Sequence, residues 1–203
     1  MASTVWWLRK GLRLHDNPAL LAALEGATAV HPLFVLDPVF LKPAKVGAPR
    51  LRFLLESLAD LDVQLRARNS RLIVLHGTQG VGARRLRTAL TPARCAGSPA
   101  EVLPEALRAW GATRLCFEWD SEEYALARDA QATRDAQALG CTVVSPVSNT
   151  LYDPRAVIAA YGGRPPLTYT VRPAVASRHV LRCVGNPRLR RRHHRLLCRR
   201  SAR

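Results

Sequence analysis

Apolar runs of strand length alternate along this chain with longer stretches of helical period. Five short, mostly apolar runs stand at residues 4–8, 29–36, 72–76, 114–118 and 141–146, and each reads as a strand buried on both faces. Between the second and third, residues 49–68 place Leu51, Leu54, Leu55, Leu58, Leu61 and Leu65 at three- and four-residue steps, the spacing that gives one helix face an apolar stripe. Ser98-Pro99-Ala100-Glu101 sets a hydroxyl at the N-cap, proline at the first helical position and glutamate at the third, and predicts a helix to about residue 110. Asp120-Ser121-Glu122-Glu123 opens an alanine-rich helix to about residue 139, stopped by Gly140. Residues 18–24 make a short first helix, entered through Asp16-Asn17-Pro18.

Strands separated by helices predict an α/β fold: a Rossmann-like five-stranded parallel sheet with helices on both faces, in the order 3-2-1-4-5. Ligands of such sheets sit beyond the carboxyl ends of the strands where the strand order reverses, here beside strands one and four. Three segments enter that crevice: Arg9-Lys10-Gly11-Leu12-Arg13, Asp37-Pro38 and Trp119-Asp120-Ser121-Glu122-Glu123. No G-x-G-x-x-G follows the first strand and no Walker lysine loop is present, so a dinucleotide or triphosphate cradle has no motif support. That absence also weighs against a nucleotide-binding module of the electron-transfer-flavoprotein or universal-stress type.

A chain of 203 residues, 48% of them hydrophobic, can bury one full core, so one domain with additions is expected. No run reaches the roughly 18 apolar residues of a membrane span, and the first residues lack a signal peptide's charged start and cleavage site. The expectation is a soluble protein of the nucleus or cytoplasm with no membrane partner. The formal charge of +16 is unevenly spread. Residues 170–203 hold eleven arginines and residues 78–97 four, with no acid in either, so 16 of the 31 basic residues face all 15 acids elsewhere. The globular part is nearly neutral. Of the five cysteines, Cys116 and Cys141 lie in strand-like contexts and read as small buried thiols. Zinc held by Cys183, His193, His194 and Cys198 fits no standard ligand spacing.

Residues 78–97 interrupt the connection between the third strand and the helix capped at Ser98, where α/β units use about 2–6 residues. They read as a basic insertion, either a tolerated surface loop or a functional one. The tail, residues 170–203, carries two prolines and the block Arg188-Leu189-Arg190-Arg191-Arg192-His193-His194-Arg195, and reads as disordered and open to weak, non-specific DNA or RNA binding.

The order of motifs carries a resemblance. Trp7-Leu8-Arg9-Lys10-Gly11-Leu12-Arg13-Leu14-His15-Asp16-Asn17-Pro18, Pro32-Leu33-Phe34-Val35-Leu36-Asp37-Pro38, Arg52-Phe53-Leu54-Leu55-Glu56-Ser57-Leu58, Phe117-Glu118-Trp119-Asp120-Ser121-Glu122 and Gly162-Gly163-Arg164-Pro165-Pro166-Leu167-Thr168-Tyr169 resemble animal-type cryptochromes and (6-4) photolyases. The resemblance covers residues 4–77 and 98–169. It departs at 78–97, at Glu123 and Ala125, where proline and glycine are usual, and after Tyr169.

What the resemblance implies is an N-terminal α/β, antenna-binding domain over residues 1–169, followed by a 170–203 tail in place of the family's linker and FAD-binding helical domain. On that expectation the chain is a truncated relative of a blue-light photoreceptor or DNA-repair flavoprotein. Without FAD, which supplies the light absorption and the electron, it is inactive alone. The antenna chromophore, 8-hydroxy-deazaflavin or methenyltetrahydrofolate in some members, falls at the strand ends, and the resemblance carries over Arg9, Lys10, Phe34, Leu36, Asp37, Arg52, Glu118, Asp120 and Glu123. Cations suit an anionic side chain, apolar walls a flat ring, and carboxylates its donors. Structural roles stand beside each: Arg9 paired with Asp37 or Asp120, Asp120 as a helix cap, Phe34 and Leu36 as core. An exposed face left by a missing domain would favour self-association. A basic nucleic-acid- or partner-binding protein is the competing reading. Binding to DNA is expected to weaken steeply as salt rises, since the excess charge sits outside the globular part; an anisotropy titration at two salt concentrations measures it, and sequence-selective binding that persists at high salt is the contrary outcome.

Overall fold

The computed structural model describes residues 2–41, 46–75, 98–150 and 153–164. The basic segments 78–97 and 170–203, with Cys183, His193, His194 and Cys198, lie outside the described residues. The sheet forms around β1 (Ser3–Leu8), buried at all six positions. Alternation along a strand sends Val5 and Trp7 into one apolar cluster and Trp6 and Leu8 into the other, so β1 supplies both halves of the core. It pairs in parallel with β2 (Ala29–Val35), setting Leu8 opposite Phe34, and with β4 (Ala112–Cys116), setting Trp6 opposite Cys116. β3 (Ile73–Leu75) and β5 (Thr142–Val144) are the edges, and the order is β3-β2-β1-β4-β5, as the pattern predicts.

The strand bounds differ from expectation mainly at β4, which starts and stops two residues earlier than 114–118. Past its end the chain stays tied to the segment after β5, with Phe117 N–H donating to the Val144 carbonyl at 3.1 Å and Trp119 N–H to the Pro146 carbonyl at 2.8 Å. Glu118 and Asp120 are thereby delivered beyond the sheet with their backbone already fixed.

Helices cover both faces. On one, α1 (Pro18–Leu24) and α3 (Ala48–Arg66) bury Leu20, Leu24, Leu58, Leu61 and Leu65 against Trp6, Leu8 and Cys116. Asn17 caps α1 by accepting the Leu20 N–H at 3.0 Å, and Arg114 Nη1 donates to the carbonyls of Ala22 (3.1 Å) and Glu25 (2.6 Å), a cation placed where the helix dipole is negative. The stripe of α3 is deeply buried only in its C-terminal half; Leu51, Leu54 and Leu55 are half-buried, leaving that end of the helix facing the crevice. On the other face, α4 (Pro99–Ala109) and α5 (Glu123–Ala138) pack Leu103, Leu107, Ala132 and Ala136 against Val5, Trp7 and Leu115. At Ser98 the capping signature forms, Glu101 accepting the Ser98 N–H at 3.2 Å.

Two short helices were not expected, α2 (Pro38–Leu41) and α6 (Pro154–Ala160). The α5 helix also begins at Glu123 with Glu122 as N-cap, so Asp120 is not its cap. Cys116 and Cys141 are buried, as expected, and burial pushes the Cys116 thiol up to about 12. Among the described residues no helix is long and apolar enough to cross a membrane, and no cluster of metal-ligating side chains forms. Leu61, 1% exposed beneath the sheet, is expected to cost about 2–5 kcal/mol when cut to alanine, read from the urea midpoint at unchanged m-value.

Candidate functional site

The carboxyl ends of β1, β2 and β4 open on a cavity of about 310 Å³ walled by Leu8, Phe34, Leu36, Leu51, Phe53 and Leu54. Two residues further along β1 than Trp7, the chain leaves the sheet at Arg9, the first position where a charge could stand, and both Arg9 and Lys10 are met by acids from beyond β4. Lys10 Nζ lies 2.8 Å from Asp120 Oδ2 and 2.7 Å from Glu122 Oε1, which ties the end of β1 to the start of α5. Burial pushes Asp120 up, but the Lys10 hydrogen bond, the Glu122 N–H and the charges of Lys10 and Arg9 outweigh it and hold Asp120 below the usual carboxylate range. Burial likewise pulls Lys10 down, and bonds to the two acids outweigh it, so Lys10 is raised.

Arg9 does not pair with Asp37 or Asp120. Its guanidinium hydrogen-bonds Asp129, one turn and a half into α5, and Arg128 reaches the same carboxylate at 3.0 Å. All three side chains are about nine-tenths buried. Both guanidinium groups stack on the Trp7 ring, at 5.0 Å for Arg9 and 5.1 Å for Arg128, and Arg9 also lies over Phe117 at 4.8 Å. Two cations, one carboxylate and two aromatic rings thus form the floor. Burial lowers the Arg9 pKa from its ordinary value, the Asp129 charge opposing the shift.

Asp37 is buried at the end of β2. It accepts the Val39 N–H at 2.9 Å, starting α2, and the Tyr124 hydroxyl at 2.5 Å from the far side of the crevice. Burial, then the Asp37 carboxylate, pushes the Tyr124 phenol up to about 12.

Of the nine residues expected at the site, Arg9, Lys10, Phe34, Leu36, Asp37 and Asp120 line one cavity. Three do not. Arg52 points into solvent and pairs with Glu56 at 2.8 Å, because it stands about 100° off the leucine stripe. Glu123 is exposed at the first position of α5. Glu118 is buried behind the cavity, where Ser148 donates to it at 2.5 Å and Arg13 stands at 4.0 Å. Gly11 packs on that carboxyl so closely that a Cβ at position 11 would fall on it. Residues not singled out from the sequence are Trp7, Arg50, Phe53 and Arg128 in the lining and Asp129 and Tyr124 just outside it, while Glu122 lines the cavity from a segment expected to enter the crevice.

The sequence from residue 4 to residue 188 matches the family model described as DNA photolyase. This chain belongs to the DNA photolyase family. It is 46% identical over 186 residues to a (6-4) DNA photolyase of Oryza sativa subsp. japonica, covering 86% of this chain and 31% of that protein. It is 43% identical over 178 residues to cryptochrome-2 of Gallus gallus, covering 88% and 27%. A bacterial class III photolyase from Agrobacterium tumefaciens superposes with a TM-score of 0.64 at 26% identity, over 83% of this chain and 30% of that one. An archaeal photolyase from Sulfolobus tokodaii, solved with two FAD molecules, shares the fold at a TM-score of 0.56 and 21% identity, over 79% and 34%. The photolyase-family chain therefore spans about a third or less of the length of these relatives, and the family match runs through residues 78–97 and past Tyr169, where the quoted motifs stop.

In this photolyase-family domain the floor is the part whose integrity is most exposed to substitution. Asp129→Ala leaves two buried guanidinium groups facing each other, which is expected to cost about 3–5 kcal/mol. Chemical denaturation measures it; a loss below about 1 kcal/mol would show the floor to be solvated rather than buried.

Proposed function

We propose that this domain is the light-harvesting side of a photolyase or cryptochrome and that it holds a flat chromophore in the crevice at the ends of β1, β2 and β4. The observation that carries the reading is the cavity itself. Its volume, about 310 Å³, lies at the small end of the range for ligand sites, sufficient for a single fused ring system, and its walls are mainly apolar with charges at floor and rim.

The residues present fit such a group in a divided way. Phe34, Leu36 and Leu54 offer apolar contact to a ring and exclude water from it. Each acid of the lining already accepts internal donors: Asp37 from Val39 and Tyr124, Asp120 from Lys10 and Glu122, and Glu122 from Lys10. Arg50, in the first turn of α3, is the lining cation without a carboxylate partner among the described residues, and it suits an anionic side chain of the chromophore. When bound, the group would supply absorption of blue or near-ultraviolet light for transfer to a flavin. Its two candidates are 8-hydroxy-deazaflavin and methenyltetrahydrofolate. The FAD chemistry of repair or signalling is not assigned to these residues. The segments that carry the expectation of DNA or RNA binding lie outside the described residues, and self-association through an exposed face remains part of this proposal.

Purified chain titrated with each chromophore tests the site, with bound fluorescence as the readout. Leu54→Trp places a ring in the half-buried wall, and the expected result is an affinity at least tenfold weaker with little change in thermal unfolding, about 1.4 kcal/mol or more of binding. No binding of either chromophore to the wild-type chain would overturn the assignment.

A further inference from the structure

One side chain joins the two flanks of the crevice. Tyr124 stands in the first turn of α5, beyond β4, and its hydroxyl donates to Asp37 at the end of β2, a link of 87 residues along the chain that passes over the end of β1. The ring meets Phe40 of α2 edge-on, with centroids 5.6 Å apart and planes at 85°, and the Arg128 guanidinium lies 5.6 Å from its centre. Tyr124 itself does not line the cavity, whereas Asp37, Phe40 and Arg128 do. Its partner Asp37 is 6% exposed, while Tyr124 and Phe40 are each 37% exposed. One end of the link is therefore anchored in the protein and the other stands where water can compete for it.

We propose that Tyr124 is a clasp: its hydroxyl holds α2 against α5 and sets how readily the mouth of the crevice opens, so that it governs entry and exit of a ligand without touching it. The physical grounds are three. The α2 helix has four residues, too few to be stable alone, so its position depends on what it is tied to. Its first amide bonds are made through Asp37, with Val39 N–H on the side chain at 2.9 Å and Phe40 N–H on the main-chain carbonyl at 3.0 Å, so the residue that starts the helix is the residue that Tyr124 grips. Tyr124 also meets α2 through the edge-on ring contact with Phe40, which Tyr124→Phe preserves. Segments with few buried contacts open locally at low free energy, and removal of one hydrogen bond there changes opening more than it changes global stability.

The role as a gate to the chromophore rests on the site proposed above, and two measurements on the full chain separate the clasp from that site. The first needs no ligand. Amide hydrogen exchange of Val39 and Phe40 should accelerate by about threefold or more in Tyr124→Phe, while amides of β1 and β4 keep their protection. In Tyr124→Ala, which also removes the ring from Phe40, the acceleration should be larger. The second is stopped-flow binding of 8-hydroxy-deazaflavin, or of methenyltetrahydrofolate if only that binds. Tyr124→Phe should raise the association and dissociation rate constants together, leaving Kd within about threefold. Unchanged exchange at Val39 and Phe40 overturns the clasp whether or not a chromophore binds. Exchange that rises only in Tyr124→Ala overturns the assignment to the hydroxyl. A dissociation rate that rises alone overturns the gating role and makes Tyr124 part of the bound-state contact surface. Accelerated exchange in Tyr124→Phe, together with a wild-type chain that takes up neither chromophore, supports the clasp and overturns the chromophore site.

Discussion

The burial of β1 on both faces is the constraint from which the rest follows. A strand with Trp6 against one helix layer and Trp7 against the other has no exposed side on which to carry a charge, so charge appears at the first residues beyond the sheet. Those residues are Arg9 and Lys10, and they emerge where the strand order reverses. Cations partly withdrawn from water require partners. The acids that meet them, Asp120, Glu122 and Asp129, all come from the connection between β4 and α5 or from α5 itself. The electrostatics of the crevice thus bind β1 to the half of the sheet that follows it, while Asp37 and Tyr124 bind the other half across the same gap.

Why the fold could be read so directly from the chain is visible in these elements. Each strand buried on both faces is a short, nearly continuous apolar run, and α3 has leucines at the period of a helix; neither signal needs tertiary information. Strand ends shifted by a residue or two because ladder bonds depend on the neighbour, as at β4, where Phe117 and Trp119 remain bonded but outside the ladder. The short helices left a weaker trace, although Asp37-Pro38 and Asp153-Pro154 are both acid-proline pairs of the kind that start helices, and Asp153 does accept the Arg155 N–H at 2.9 Å.

The site was legible where it lies on strand ends and illegible where it lies on helices. Arg9, Lys10, Asp37 and Asp120 follow from topology alone. Arg128, Asp129 and Tyr124 belong to a helix that reads as alanine-rich, yet a signal was present: Ala125, Asp129, Ala132 and Ala136 recur at steps of four, three and four, which puts an aspartate on the buried stripe. An acid on an apolar stripe calls for a buried cation, and Arg9 is the cation that the topology brings there. Arg52 fails by the same geometry, since a position next to Leu51 on a helix does not share its face.

This pattern of pairing also separates what substitutions in the crevice report. Because Arg9, Arg128 and Asp129 share one floor, removing any one changes the burial cost of the other two, and losses at these positions will not add. A weakened affinity after such a change would be ambiguous between a lost contact and a collapsed floor. The walls are different: Leu54 and Phe53 are apolar, half-buried and exposed in turn, and take no part in the pairs of the floor, so they can be altered with that electrostatic frame intact. Recognition of a ring by the walls and maintenance of the crevice by the charges are therefore carried by different residues, although both surround one cavity, and only the wall positions isolate binding from stability.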